Sequence, residues 1–356
     1  MKKSLLAVAV AAALPTFAQA QSSVTLFGIL DASVEYSNDS ANSAFNAANG
    51  VVTRGDDTLR LNSGTQSGSR FGVRGTEDLG GGLKAIFTIE HRLSVDTGAT
   101  AGGGFQTGNG AFWNGQAWVG LSGGWGQLTA GRQYSPIFWA LLPADFTGYG
   151  FYNNWAGLTG GGFGVTPQGP IRLDNSLAYK SPTWGGLTVY ATYAFGEVSV
   201  ANAPASNDIL GIAAGWQLGG LYLGAGYHDI DAAAGLESVL AATASYRFSS
   251  FGVSIGYTAQ EFVGGAEATI ILGSAFARIG PGTVFLNVAS VDIDKFAGAR
   301  NGDGLQLGLT YSMPISKRTN WYVGYGMNDV SMFQPTTSTV LLDDASRFTV
   351  GLRHLF

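Results

Sequence analysis

The 356-residue chain contains no cysteine. Disulfides and thiolate metal sites are therefore excluded, and stability has to come from packing and backbone pairing. Histidine is scarce: His91, His228 and His354 fall in three separate predicted strands, so no His-containing metal spacing exists. There is no nucleophile elbow and no phosphate-binding loop in strand-to-helix context, which leaves no basis for an enzyme. Charged residues make up only 12% of the chain, about half the usual share. The basic ones are few and scattered, so no nucleic-acid partner is implied. Beyond the first twenty residues, no segment approaches the uninterrupted apolar run that a helical span requires. Low charge without apolar helices leaves one way to cross a bilayer, a closed β-barrel. The soluble alternative is a large secreted sandwich or jelly roll.

What the chain does have is glycine, 54 residues, and aromatics at 12%. It also has a leader. Met1-Lys2-Lys3 is basic, Leu6 to Pro15 is apolar, and Ala18-Gln19-Ala20 is a small-x-small cleavage signal. Residues 1–20 read as a secretory signal peptide, and 21–356 as one barrel domain. From Ser23 onward, apolar residues alternate with small or polar ones at period two. The last ten residues show it well: Phe348, Val350, Leu352, His354 and Phe356 share one parity, while Arg347, Thr349, Gly351, Arg353 and Leu355 share the other. A pattern that runs to the final residue predicts a closing strand paired with Ser23–Tyr36.

Sixteen strands of roughly ten residues can be counted. Tight Gly- or Ser-rich turns alternate with longer polar connections, such as Ser37 to Asp57. That asymmetry, with aromatics at strand ends (Tyr36, Trp125, Trp184, Phe195, Phe248 and Phe251), predicts an all-β, 16-stranded antiparallel transmembrane β-barrel. At this size the interior is wide enough for water. Strand two is predicted to break between Gly64 and Gly68. Tyr134 to Pro170 is the longest stretch without alternation, too long for a plain connection and too aromatic to be disordered. Arg132 has the outward parity of Leu128 and Ala130, and a bulge near Gly131 would reverse it.

The chain resembles the general, non-specific porins of Gram-negative outer membranes, especially their beta-proteobacterial branch. The resemblance rests on Ser23–Asp31 (SVTLFGILD), Ser69–Gly80 (SRFGVRGTEDLG), Gly131–Tyr134 (GRQY), Arg172–Ser176 (RLDNS) and the terminal Gly351–Phe356 (GLRHLF). It implies a homotrimer in outer-membrane lipid and lipopolysaccharide, with a separate pore in each subunit passing ions and small hydrophilic solutes. It implies no cofactor. It also implies that the third external loop, here about 134–170, folds inward as the constriction. Phe356 would be part of the signal read by the outer-membrane assembly machinery. The resemblance puts Arg74, Arg132 and Arg172 on the wall of the constriction. Strand parity adds Arg70 and Arg92, and Arg60 lies in a segment of less regular register. Glu90 on the wall and Asp145 on the loop are the carboxylates that would oppose them. A basic wall concentrates anions, so weak anion selectivity is expected. A substrate-specific channel would instead carry an ordered track of aromatics or charges, and an adhesin-like barrel would have a filled interior.

Overall fold

Period-two alternation becomes strand after strand. In the computed structural model, residues 22–39, 43–46, 51–53, 57–101, 111–151, 171–198, 205–233, 235–296, 300–334, 339–342 and 345–356 are described. The predicted leader and positions 152–170 of the predicted constriction loop lie outside them. The strands are β1 (Ser23–Asp39), β2 (Ser43–Asn46), β3 (Val51–Thr53), β4 (Thr58–Ser63), β5 (Arg70–Gly80), β6 (Leu83–Arg92), β7 (Gln116–Gly123), β8 (Gly126–Tyr134), β9 (Arg172–Lys180) and β10 (Leu187–Ala194). They continue as β11 (Ile209–Leu218), β12 (Leu221–Ile230), β13 (Leu236–Arg247), β14 (Phe251–Phe262), β15 (Ala266–Ile279), β16 (Gly282–Phe296), β17 (Arg300–Pro314), β18 (Thr319–Gln334), β19 (Thr339–Leu342) and β20 (Ala345–Leu355). β4 and β5 both pair with β1 and form one interrupted stave, while β2, β3 and β19 pair with one another beyond the rim. Twenty strands less those three, with β4 and β5 counted once, leaves the expected sixteen-stranded antiparallel barrel. The expectation of a plain loop from Ser37 to Asp57 is corrected: β2 and β3 lie inside it. Small and polar residues carry no alternation there, and the pairing is supplied by β19.

Closure follows the predicted pairing. β20 runs antiparallel to β1 from Ile29↔Leu355 to Asp39↔Ala345. The final residue extends the ladder: Gly28 N–H donates to the Phe356 carbonyl (3.0 Å), and Phe356 N–H to the Gly28 carbonyl (3.1 Å). The tip of the Phe356 ring covers Gly28, where any Cβ would overlap it. Gly28→Leu is therefore expected to impair closure by about 1–3 kcal/mol of overpacking. Gels of unheated protein would show it as a smaller folded fraction.

The faces are inverted relative to a soluble protein. Leu26, Leu30, Val34 and Tyr36 of β1 are exposed, while Asp31, Ser33 and Glu35 between them are buried. The same inversion runs round the barrel through Leu210, Ile212, Leu240, Ile255, Ile271 and Leu309. A continuous exposed apolar band is intolerable in water and is what lipid requires. All six strand-end aromatics predicted as girdle residues are exposed. His354 has the lipid-side parity and shares a hydrogen bond with Thr319 Oγ1 (2.9 Å) close to the strand end.

Two inner features break the regularity. In β1, Ala32 pairs with Ser63 and Ile29 with Arg70, so Leu30 and Asp31 stand opposite the six residues Gly64–Ser69. The predicted break is thus a large pinch off the wall. Buried Asp31 holds it, accepting from Ser67 N–H (2.6 Å) and Tyr322 O–H (2.6 Å). Arg353 donates to Ser67 Oγ (2.9 Å), and Asn320 donates to Gln66 Oε1 (2.6 Å). The second feature is a short helix, α1 (Pro136–Leu141), which the sequence reading did not anticipate. Ser135 caps it by accepting from Phe138 N–H, and Pro136 fits the first turn because its missing N–H is not needed there.

Candidate functional site

Antiparallel register places four of the candidate residues on the neighbouring staves β5 and β6, and a fifth, Arg172, lies on β9. Arg70 is opposite Arg92, Gly72 opposite Glu90, and Arg74 opposite Thr88. On the far side of β8, Tyr134 pairs with Arg172. All of these except Gly72 line one recess of about 540 Å³. Glu90 is its central acceptor, with Arg92 Nε at 3.0 Å and Arg70 Nε at 3.8 Å. Tyr134 O–H accepts from Arg92 Nη2 (2.6 Å) and Arg172 Nη2 (2.9 Å), and the Arg172 guanidinium lies 4.5 Å over its ring. Arg74 sits 5.5 Å from the centre of the Phe27 ring. Four guanidiniums against one carboxylate leave a formal charge of +4 − 1 = +3 on this wall. In a narrow passage with low-dielectric walls, such an excess sets up a focused positive potential.

The remaining candidates lie elsewhere. Arg60 is neutralised by Glu35 on β1, with Nε at 3.0 Å from Oε1. Arg132 keeps the parity of Leu128 and Ala130, pairs with Asp174 and donates to the Asn114 carbonyl (3.0 Å). The anticipated irregularity does occur, between Gly131 and Gln133. It turns Tyr134, rather than Arg132, into the cluster. Asp145 is buried, and its oxygens accept from its own loop: Thr147 N–H (2.8 Å), Thr147 O–H (2.7 Å) and Tyr149 N–H (2.7 Å). It does not line the recess.

The segment after β8 packs on the wall opposite the arginines. Ile137, Leu141 and Ala144 join a buried apolar cluster with Tyr222, Val239, Ala241, Ile270 and Leu272. Tyr222 O–H donates to the Ala140 carbonyl (2.7 Å), and Arg247 Nη2 to the Pro143 carbonyl (3.1 Å). At its far end, Phe151 N–H donates to the Thr65 carbonyl of the pinch (2.8 Å), and its ring packs edge-on to Tyr322. Tyr149 and Phe151 adopt positive φ on either side of Gly150, where a Cβ would strike the Gln66 carbonyl. Burial, and after it the nearby Asp145 charge, pushes the Tyr149 phenol well above its ordinary value.

Sequence reasoning missed Tyr134 as a site residue. It was visible only as the end of Gly131-Arg132-Gln133-Tyr134, and strict alternation from Leu128 would have turned it outward.

A profile of the Gram-negative porins matches residues 7–331. The chain belongs to the Gram-negative porin family. It is 40% identical over 203 residues to outer membrane porin protein 32 of Delftia acidovorans, a match covering 55% of this chain and 50% of that protein. Against that relative the chain therefore aligns over about half the length. With an outer membrane porin protein of Bordetella pertussis the match is 28% identical and covers 100% of both chains. Among solved structures, the barrel superposes on the anion-selective porin from Comamonas acidovorans with a TM-score of 0.74 and 27% identity, covering 94% of this chain and 100% of that one. A loop L8 deletion mutant of OmpT, an outer membrane protein of Vibrio cholerae, at 17% identity and a TM-score of 0.65, shares the fold.

Proposed function

We propose that this porin is a water-filled outer-membrane channel for passive diffusion of ions and small hydrophilic solutes, with a preference for anions. The carrying observation is the excess of guanidinium over carboxylate on the wall formed by Arg70, Arg74, Glu90, Arg92 and Arg172. The segment after β8, described as far as Phe151, acts as the inward-folded third external loop that narrows the passage. Its apolar anchoring on β12–β15 and its tie to the pinch support that role. A solute would meet arginines on one side and the loop on the other. The likeness to a structure described as an anion-selective porin agrees with this sign. Reversal potentials measured across a KCl gradient in planar bilayers should favour chloride; a potassium-favouring value would sink the proposed selectivity.

The leader at 1–20 directs export, and Phe356 serves the assembly machinery in addition to sealing β20 to β1. The functional unit is a homotrimer embedded in lipid and lipopolysaccharide. Gentle extraction should give a trimer band on native gels of unheated protein, and a monomer alone would count against this. No chemistry beyond permeation is proposed.

A further inference from the structure

The arginine-lined recess adjoins a second chamber. The two share Gln116, Trp118, Tyr134 and Trp139. The second chamber has a volume of about 190 Å³ and adds Lys180, Tyr190, Gln127 and Thr192 to the shared walls. Five aromatic residues border it, Trp118, Tyr134, Trp139, Tyr179 and Tyr190. Trp139 is 37% exposed although it stands edge-on to Tyr134 and Phe138, so the aromatic packing of the loop does not use up its surface. Lys180 is exposed and forms no ion pair among the described residues. Its ammonium lies 5.8 Å from the centre of the Tyr190 ring. Among the described residues, no aspartate or glutamate borders the chamber.

This is more than a general diffusion channel requires. Bulk ions need width, water and a field, whereas indole surfaces beside an unpaired ammonium favour a solute that is both flat and negatively charged. The volume is adequate, because a cavity of about 150 Å³ already accommodates benzene. A neutral sugar fits less well, since the walls offer no carboxylate to accept from its hydroxyls. The order of groups also matters. A solute drawn in by Arg74, Arg92 and Arg172 passes the indoles of Trp118 and Trp139 before reaching Lys180.

The geometry points to a solute-binding station in this chamber for small aromatic carboxylates, the ring resting among Trp118, Trp139 and Tyr190 and the carboxylate on Lys180. Gln116 and Gln127 supply amide donors at the edge. The station rests on the channel reading above and adds a preferred solute class to it.

The test is current block in planar bilayers. The intact protein carries a KCl current, and sodium benzoate, sodium acetate or benzyl alcohol is added to one side. Benzoate should reduce the current saturably. Acetate has the charge without the ring, and benzyl alcohol has the ring without the charge; each should act only at concentrations roughly tenfold higher or more. Lys180→Gln and Tyr190→Leu should each raise the half-blocking benzoate concentration about tenfold relative to that variant's own KCl current. Equal block by all three probes, or an unchanged half-blocking concentration in both variants, overturns the station. A conducting channel that benzoate does not block overturns the station alone. A chain that carries no KCl current overturns the channel reading, and the station with it.

Discussion

Exchanging Arg74 and Arg172 for glutamate should reverse the sign of the ion selectivity. With Arg70 and Arg92 retained, the formal charge on the recess wall falls from +3 to 2 − 3 = −1. Both positions tolerate the change better than Arg92 does. Arg74 is exposed and lies over the Phe27 ring, whereas Arg92 is buried against Glu90. A glutamate at 172 can still accept from Tyr134 O–H, so the aromatic pivot keeps a partner. The chloride-to-potassium permeability ratio should fall roughly tenfold or more, the scale on which a charged cleft concentrates counter-ions. High salt should shrink the difference, since the Debye length is only about 3 Å at 1 M. The control is Arg132→Glu, which replaces a residue already paired with Asp174 outside the recess. An unchanged ratio in the double variant together with a large change at 132 would transfer the filter to a different set of residues.

The second large effect is expected at Asp31. Its carboxylate is fully buried and collects the Ser67 N–H and Tyr322 O–H donors. Asp31→Ala leaves both without that acceptor, at roughly 1–3 kcal/mol for each orphaned group. The temperature at which the folded band disappears in detergent gels should drop by roughly 5 °C or more. The pinch at Gly64–Ser69 is also one of the supports of the loop, through Phe151 N–H and the Thr65 carbonyl. Loosening it should therefore add current noise to the open channel. Asp31→Asn keeps an acceptor and should be milder on both counts. If Asp31→Ala alters stability with no trace in the current record, the pinch carries no load from the loop.

How far these features were legible differs by residue. Parity along β5 and β6 was enough to turn Arg70, Arg74, Glu90 and Arg92 to the interior, because a strand has only two faces and each stretch stays in phase. The pairing of β20 with β1 was legible for the same reason. Parity failed wherever the backbone leaves phase. Tyr134 turns inward at the irregularity after Gly131, and Asn175 takes a positive φ beside Asp174, the partner of Arg132. The break near Gly64 was marked by small residues, but its anchoring depends on Tyr322, which is 291 residues from Asp31. No local pattern encodes such a contact. The helix Pro136–Leu141 escaped because six residues make less than two turns, and five of them are buried on one apolar segment. Asp145 was noticed for its charge, yet its surroundings are made by the turn it closes.

The seam between Gly28 and Phe356 has a consequence for how the cell meets this protein. Nearly every other pairing joins strands adjacent in the chain, so hairpins can accumulate in any order as the polypeptide arrives. The β1–β20 seam, with the β2–β19 pairing beside it, requires both ends. A chain cut short by a premature stop or trimmed by a protease would keep most of its hairpins and still present two unpaired edges, an open template for sticking to other chains. The edges of β1 and β20 are hidden only while that seam is made, up to the two hydrogen bonds between Gly28 and Phe356.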